Sequence, residues 1–200
     1  MADNSYFTVI HTDGGSRPNP GQGAYAAILQ HNGKSAVIRG YVPYATNNQM
    51  ELAAVIAALH ALKSTRIPVK LYVDSQYVHD GATRWLKGWR RNIWKTSNGD
   101  PVKNVELWQE LDEIMGRYVI SWHKVTSHAG SAMNNRADEL VWDTRDAEGD
   151  PAKYQVTDIP TIETPWEFTA FQNRIVNAKL PPQAKAMGNR FRQILANGGK

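Results

Sequence analysis

The sequence predicts an α/β fold: a five-stranded mixed sheet flanked by helices, followed by a C-terminal extension. Patterns typical of strands (β) and helices (α) occur in the order β-β-β-α-β-α-β-α, which suits a mixed sheet covered by crossover helices. With 42% hydrophobic and 21% charged residues, the composition is that of a globular chain. The character of the sequence changes after Gly149-Asp150-Pro151. We therefore expect one domain over residues 1–149 and a basic extension over 150–200.

The predicted strands are short β-rich segments bounded by turn residues. The first is expected to end at the turn signal Asp13-Gly14-Gly15. The second and third are joined by a turn at His31-Asn32-Gly33. In chain order, the five predicted strands are residues 6–12, 24–29, 36–42, 69–73 and 118–125.

The clearest predicted helix begins near Asn48, where apolar residues recur at helical spacing. This apolar stripe consists of Leu52, Val55, Ile56, Leu59 and Leu62. Further helical segments are expected at 76–81, through the basic stretch that follows, at 105–115 and at 134–147. In the extension, Thr164-Pro165-Trp166-Glu167 has a capping-box pattern that predicts a short helix, and apolar residues at 187–195 predict a second.

Several classes of protein are excluded by composition. The chain has no cysteine, which excludes a disulfide scaffold and thiolate chemistry. Its longest apolar run, residues 52–59, is too short to span a bilayer. The N-terminus lacks the basic-then-apolar layout of a signal peptide. We expect a soluble, cytoplasmic monomer with no membrane partner.

The positive charge of the chain is unevenly distributed. The net charge is +4, and residues 151–200 supply all of it, with seven basic and three acidic residues. Residues 81–99 contain five basic residues and no acid, interleaved with Trp85, Trp89 and Trp94. Such a stretch favours a polyanionic ligand. A solvated helix whose tryptophans pack inward explains the same composition, so both interpretations stay open.

Four acidic residues stand where a sheet-and-helix fold can bring them together: Asp13, Glu51, Asp74 and Asp138. Singly, each fits a turn, a helix cap or a solvated helix surface. Two carboxylates about 4 Å apart repel by about 4 kcal/mol at an effective dielectric constant near 20. Four converging carboxylates therefore raise one another's pKa values unless cations compensate. Oxygen ligands of this kind suit Mg²⁺ or Mn²⁺, and a pair of such ions serves phosphodiester hydrolysis. The spacing alone does not show that the four side chains converge.

Five sequence blocks around these acids resemble type 1 ribonuclease H, and the resemblance covers residues 6–147. Their number and their order, which is that of the family, argue against chance similarity. The blocks are TDGGSRPNPGQGAYA (12–26), TNNQMELAA (46–54), YVDSQYV (72–78), RWLKGWRRNIWKT (84–96) and SHAGSAMNNRADEL (127–140).

The resemblance implies a ribonuclease H-like fold and an endonuclease that cuts the RNA strand of RNA–DNA hybrids, leaving 5′-phosphate and 3′-hydroxyl ends. It implies that Asp13, Glu51, Asp74 and Asp138 hold two Mg²⁺ ions, with Mn²⁺ as a substitute. His128 matches the histidine thought to shuttle a proton or to help the product leave. These five residues are the implied catalytic set.

The resemblance also implies which residues contact the hybrid. Asn19, Asn48 and Gln76 match positions that face the RNA strand, and Asn47 and Ser75 lie in the same blocks. Side-chain amides suit this task because the 2′-hydroxyl both donates and accepts hydrogen bonds. On the DNA strand, Thr46 and Asn104 map to a phosphate pocket, and Trp85 and Trp89 map to aromatic residues that pack on deoxyribose.

The sequence departs from the family pattern in several places. Tyr44 stands where some relatives have an arginine in the phosphate pocket, and Gln49 replaces an arginine near Glu51. The first five residues are too few to form a separate hybrid-binding module. Residues 151–200 match nothing in the family. We expect them to contact nucleic acid or to dock on the core or on a protein partner, and a flexible tether is the alternative.

Two other functions are compatible with parts of the sequence. A non-catalytic hybrid-binding protein would use the basic stretch and the extension, but it has no need of four mutually repelling acids. Integrases, transposases and resolvases share an acid-lined sheet of this kind, but the asparagine and tryptophan positions match ribonuclease H.

Overall fold

The computed structural model describes residues 6–126 and 132–179, with the backbone alone for 175–179. The chain divides into two units, Met1–Glu167 and Phe168–Lys200. The second unit contains one described helix, α6 (Phe168–Lys179). The first unit contains β1 (Thr8–Arg17), β2 (Gly21–His31), β3 (Lys34–Ala45), α1 (Asn47–Ala61), β4 (Val69–Val73), α2 (Gln76–Asp80), a π-helical turn (Gly81–Trp85), α3 (Leu86–Arg91), α4 (Val105–Met115), β5 (Ile120–Lys124), α5 (Ala132–Asp146) and a 3₁₀ turn (Pro151–Lys153).

The five strands form one mixed sheet in the order β3-β2-β1-β4-β5. Strands β1, β2 and β3 pair antiparallel, whereas β4 lies parallel to both β1 and β5. The predicted five-stranded mixed sheet with flanking helices is therefore confirmed. No helix among the described residues has the length and apolarity needed to cross a membrane.

Helices α1 and α5 cover opposite faces of the sheet. Gly14 of β1 lies against the backbone of α1 at Met50. Because successive strand residues point to opposite faces, Asp13 points to the other side. That side carries α5, whose buried residues form a core cluster with β2 and β3. The cluster consists of Ala24, Ala26, Ile28, Val37, Ala137, Leu140 and Val141.

The predicted turn at Asp13-Gly14-Gly15 is wrong, because β1 continues to Arg17. Asp13 pairs with Ala26 of β2, and the two glycines remain in the ladder. The glycines permit close packing: a Cβ on Gly14 would lie 2.3 Å from the Met50 carbonyl carbon. Asp13 therefore lies within a strand and is 7% exposed.

Two other local predictions are confirmed. Asn32 and Gly33 adopt left-handed φ values of 51° and 74°, which make the tight turn between β2 and β3. Helix α1 begins at Asn47, and Thr46 caps it in a capping box with Gln49. Gln49 thus stabilises the start of α1.

The predicted capping box at Thr164 is wrong, since α6 begins at Phe168. The Thr164 hydroxyl instead donates to the Ala57 carbonyl of α1 at 3.0 Å and accepts from the Trp166 N–H at 3.3 Å. The short helix predicted in this segment is present as α6, but it begins at Phe168 and not directly after Thr164. The second predicted helix, at 187–195, lies outside the described residues.

Residues 150–167 belong to the same unit as the sheet. The Val37 N–H of β3 donates to the Pro160 carbonyl, and the Ile162 N–H donates to the Val37 carbonyl, both at 2.8 Å. These two bonds satisfy backbone groups at the outer edge of β3 and attach the segment to the sheet.

Arg39 of β3 makes several of the contacts that hold residues 150–167 to the sheet. It pairs with Asp143 of α5 at 2.9 Å, and the two side chains are only 2% and 9% exposed. Its guanidinium also donates to the Val156 carbonyl at 2.9 Å and lies 3.6 Å from the centre of the Tyr154 ring. One buried cation thus joins the sheet, α5 and the segment after α5.

Arg39→Ala is expected to lower the free energy of unfolding by about 3 to 5 kcal/mol, because it leaves the Asp143 carboxylate buried without its cation. Urea denaturation monitored by circular dichroism would measure the loss. Arg66→Ala, at an exposed arginine, is the matched control and should stay within about 0.5 kcal/mol of the wild type. Equal stability of the two variants would contradict the assignment.

Candidate active site

Three of the four predicted acids meet at one point of the sheet. Asp13 lies in β1, and Asp74 directly follows β4, its parallel neighbour, where Thr12 pairs with Val73. Glu51 comes from α1, which the glycine at position 14 brings close to β1. One carboxylate oxygen from each of Asp13, Glu51 and Asp74 lies within 4.8 Å of the other two.

The fourth acid, Asp138 of α5, joins the cluster through Asp13. The charge of Asp138 and its hydrogen-bonding interaction with Asp13 both raise the pKa of Asp13. The indole N–H of Trp142, one helical turn further along α5, donates to Asp138 Oδ1 at 2.7 Å. The structure therefore brings Asp13, Glu51 and Asp74 together and places Asp138 beside Asp13, a convergence that the sequence spacing alone left open.

Burial and mutual repulsion raise the pKa values of two of these acids, Asp13 and Glu51. The pKa of Asp13 is raised from 3.8 to about 8, and burial is the largest cause. The charges of Asp74 and Asp138 are the next causes. The pKa of Glu51 is raised well above its usual value by burial and then by Asp13 and Asp74. The ammonium of Lys124 partly opposes this rise in the pKa of Glu51.

The donor set fits a hard divalent cation. Glu51 Oε2 is buried and has no hydrogen-bond partner in the part of the chain that the structure describes. Such an orphaned oxygen is costly unless a cation or proton compensates it. Clustered carboxylate oxygens without cysteine are ligands that Mg²⁺ and Mn²⁺ prefer.

Two of the predicted RNA-contact residues lie together beside β1. Ser16 donates from its backbone N–H to Asn47 Oδ1 at 2.8 Å, and the Asn47 N–H donates to Asn19 Oδ1 at 3.2 Å. These bonds tie the β1–β2 connection to the start of α1. The exposed amides of Asn19 and Asn47 are held in fixed positions by this network.

Other predicted contact residues begin helices. The Thr46 hydroxyl takes part in the capping box of α1, and Asn48 is exposed in the first turn of that helix. Ser75 caps α2 by accepting from the Val78 N–H at 3.3 Å. Gln76, the first residue of α2, is exposed, and its side chain bonds to the Asp80 carboxylate.

The predicted DNA-contact tryptophans form one aromatic cluster with Tyr77 and Trp108. The Trp85 and Trp89 ring centres are 5.7 Å apart, and Trp89 lies 5.2 Å from Trp108. Trp85 is 39% exposed, whereas Trp108 is fully buried. Asn104 joins this cluster by donating from Nδ2 to the Tyr77 hydroxyl at 3.3 Å. One edge of the cluster is therefore solvated and the other belongs to the core.

The basic stretch is only partly neutralised. Arg84 lies 3.5 Å from Asp80, and Arg90 pairs with Asp112. Lys87, Arg91 and Lys95 are exposed, and no ion pair to them is present within residues 6–126 and 132–179. The three leave positive charge on the surface beside Trp85.

Four residues that shape the site were not predicted from the sequence. Ser16 donates a hydrogen bond to the Asn47 side chain, and the Asn104 side chain donates to the Tyr77 hydroxyl. The positive charge of Lys124 lowers the pKa of Glu51. Trp142 was detectable, because it lies four residues after Asp138 on the same helix face. His128, the fifth predicted catalytic residue, lies outside the described residues.

The comparisons with known proteins agree with this geometry. A family model described as RNase H matches residues 5–145. A ribonuclease H of Bradyrhizobium sp. (strain ORS 278) is 51% identical over 134 residues, covering 67% of this chain and 86% of that relative. A ribonuclease H of Granulibacter bethesdensis is 46% identical over 145 residues, covering 72% of this chain and 96% of the relative.

A solved structure shows the same likeness. The crystal structure of RNase H1 from the archaeon Halobacterium salinarum NRC-1 superposes with a TM-score of 0.54 at 29% identity. The superposition covers 70% of this chain and 97% of that one. From the matched family model, the relatives and the sheet with its clustered acids, we conclude that the chain belongs to the ribonuclease H family.

Proposed function

We propose that the four clustered acids carry the activity of this chain, which as a ribonuclease H is a metal-dependent endonuclease acting on the RNA strand of RNA–DNA hybrids. The convergence of Asp13, Glu51 and Asp74 within 4.8 Å is the observation that carries the proposal. Carboxylates this close, two of them with raised pKa values, are costly for folding and serve no purpose in a protein that merely binds. The non-catalytic alternative is therefore disfavoured.

Asp13, Glu51, Asp74 and Asp138 would hold two Mg²⁺ ions, for which Mn²⁺ can substitute. Two divalent ions, when bound, lower the pKa of the attacking water and neutralise the charge that develops on the leaving oxygen. The contribution of the chain is to fix the four carboxylates on three packed elements and the end of a strand. The products would carry 5′-phosphate and 3′-hydroxyl ends.

The RNA strand would be recognised beside the acids. A 2′-hydroxyl both donates and accepts hydrogen bonds. Side-chain amides have an acceptor and a donor group that can pair with it, and they are present at Asn19, Asn47, Asn48 and Gln76. Glu51, at the start of α1, would lie within reach of the 2′-hydroxyl. Ser75 contributes by fixing the start of α2, where Gln76 lies. His128 is proposed to shuttle a proton or to help the product leave.

The DNA strand would lie along the aromatic cluster and the basic stretch. Trp85 and Trp89 offer ring faces that pack on deoxyribose, where a 2′-hydroxyl would clash. Thr46 and Asn104 would contact a DNA phosphate. Lys87, Arg91 and Lys95 would add affinity that falls as salt rises, because binding to phosphates releases counterions.

Cleavage assays with a labelled hybrid test the proposal. We expect cleavage of the RNA strand with Mg²⁺ or Mn²⁺, no cleavage in EDTA, and no cleavage of double-stranded DNA. Asp74→Asn should lower the rate by at least about 10³-fold, because a metal contributes several kcal/mol to the transition state, while hybrid binding persists.

The exposed loop acid Asp100 supplies the control, since Asp100→Asn should leave the rate unchanged. Analysis of the ends would show 5′-phosphate on the products. A hybrid left intact by the wild-type chain with both metals would refute the proposed function.

A further inference from the structure

Residues 150–167, here called the strap, connect the two helices that carry Asp138 and Glu51. The strap leaves the end of α5, pairs with Val37 at the edge of β3, and reaches α1 on the opposite face of the sheet. The matched family model ends at residue 145, before the strap begins.

The first half of the strap is bound to α5 by charge and by apolar contact. Asp143 of α5 accepts from the backbone N–H of Gln155 at 2.8 Å and of Val156 at 3.2 Å. Arg136, two residues before Asp138, forms an ion pair with Asp158 of the strap. Val156 and Ile159 pack on the core cluster that α5 shares with β2 and β3.

The second half of the strap is bound to α1. Thr164 donates to the Ala57 carbonyl at 3.0 Å. The ring of Trp166 stacks on His60 of α1, with centres 6.4 Å apart, and meets Tyr25 of β2 edge-on at 6.3 Å. The strap thus couples the position of α5 to that of α1 around the sheet edge.

Trp142 extends this coupling to the acidic cluster. Its ring packs on the same core cluster as Val156 and Ile159. A Cβ on Gly15 of β1 would lie 3.0 Å from the ring, so the indole lies close over the strand that carries Asp13. From this position the indole N–H donates to Asp138 Oδ1 at 2.7 Å.

We propose that the strap and Trp142 form a positioning device that holds α5 and the Asp138 carboxylate in place for metal binding. The inference rests on the proposed function and deepens it. Trp142 acts through Asp138, so it is a positioning residue. The Asp138 carboxylate accepts from the indole through one oxygen and also interacts with Asp13 of the acidic cluster. Groups that orient metal ligands in this way commonly set metal affinity.

Isothermal titration calorimetry of Mg²⁺ binding to the full chain, without hybrid, tests whether the strap and Trp142 position Asp138. Trp142→Phe keeps a ring over Gly15 but removes the donor, and should weaken Mg²⁺ binding by about tenfold. Trp122→Phe, at a half-buried tryptophan of β5, is the matched control and should leave the affinity unchanged. Asp158→Asn, which breaks the exposed ion pair to Arg136, should weaken binding by about twofold to fivefold.

Thermal melting of each variant separates positioning from stability. Reduced Mg²⁺ affinity in Trp142→Phe at a temperature where it is fully folded supports the device. A lower melting temperature with unchanged Mg²⁺ affinity would show that Trp142 and the strap only stabilise the fold, and would overturn the inference. A wild-type chain that neither binds Mg²⁺ nor cleaves hybrid would overturn both this inference and the proposed function.

Discussion

Asp13→Asn is expected to abolish metal-dependent cleavage and to raise the melting temperature of the metal-free protein. Cleavage should fall by at least about 10³-fold, because the substitution removes a ligand at the centre of the acidic cluster. Stability should rise because the folded state no longer buries an acid beside Asp74 and Asp138. The two opposite effects distinguish a functional acid from one that holds the fold together. Rate assays and thermal melting in EDTA measure them.

The stability gain from Asp13→Asn should depend on pH. The pKa of Asp13 is about 8 in the folded chain, and its ordinary value of 3.8 applies in the unfolded chain. At a pH between these two values, the folded state therefore binds a proton that the unfolded state lacks. The free energy of unfolding contributed by this group therefore falls as pH rises from about 4 to about 8. Relative to the wild type in EDTA, Asp13→Asn should gain most at the upper end of this range.

Urea denaturation at several pH values, with and without Mg²⁺, would check this dependence. Bound Mg²⁺ should raise the stability of the wild type more than that of the variant, because the ion binds the folded state and needs the carboxylate. Asp100→Asn, at an exposed loop acid, should show no such gain at any pH. A constant difference between wild type and Asp13→Asn across the range would contradict the raised pKa of Asp13.

Much of the fold was predictable from the sequence because its signals are local. The strand at Val69–Val73 is a β-branched segment after a proline, and the stripe from Leu52 to Leu59 has the period of a buried helix. The acids could be named because five blocks around them resemble one family. Their convergence could not be derived, because no sequence separation states which strands lie side by side.

The wrong predictions share a physical cause, which is tertiary contact overriding a local signal. Gly14 and Gly15 look like a turn, but they lie in β1 because α1 and Trp142 approach them closely. Thr164 looks like a helix cap, but its hydroxyl is bound to Ala57. The buried pair of Arg39 and Asp143 joins residues 104 positions apart, which no local pattern reveals.

Gly14→Ala is expected to damage both the fold and the metal site, although alanine is the smallest possible side chain. The new Cβ would lie 2.3 Å from the Met50 carbonyl carbon and 2.5 Å from the Glu51 N–H nitrogen. Both contacts are to backbone, so no side-chain rotation relieves them and α1 must move away from β1. Glu51 would move with the helix, away from Asp13.

We expect Gly14→Ala to lose about 3 kcal/mol in free energy of unfolding, at the upper end of the usual cost of overpacking. Mg²⁺ affinity should fall by more than about tenfold in the protein that remains folded. Gly88→Ala is the matched control: nothing lies within 4 Å of its Cβ position in α3, and alanine there should stabilise the helix by about 0.5 to 1 kcal/mol. If Gly14→Ala bound Mg²⁺ as the wild type does, the spacing of β1 and α1 would not be what brings Glu51 to Asp13. The strand glycine would then have no part in assembling the acids, and their convergence would need another cause.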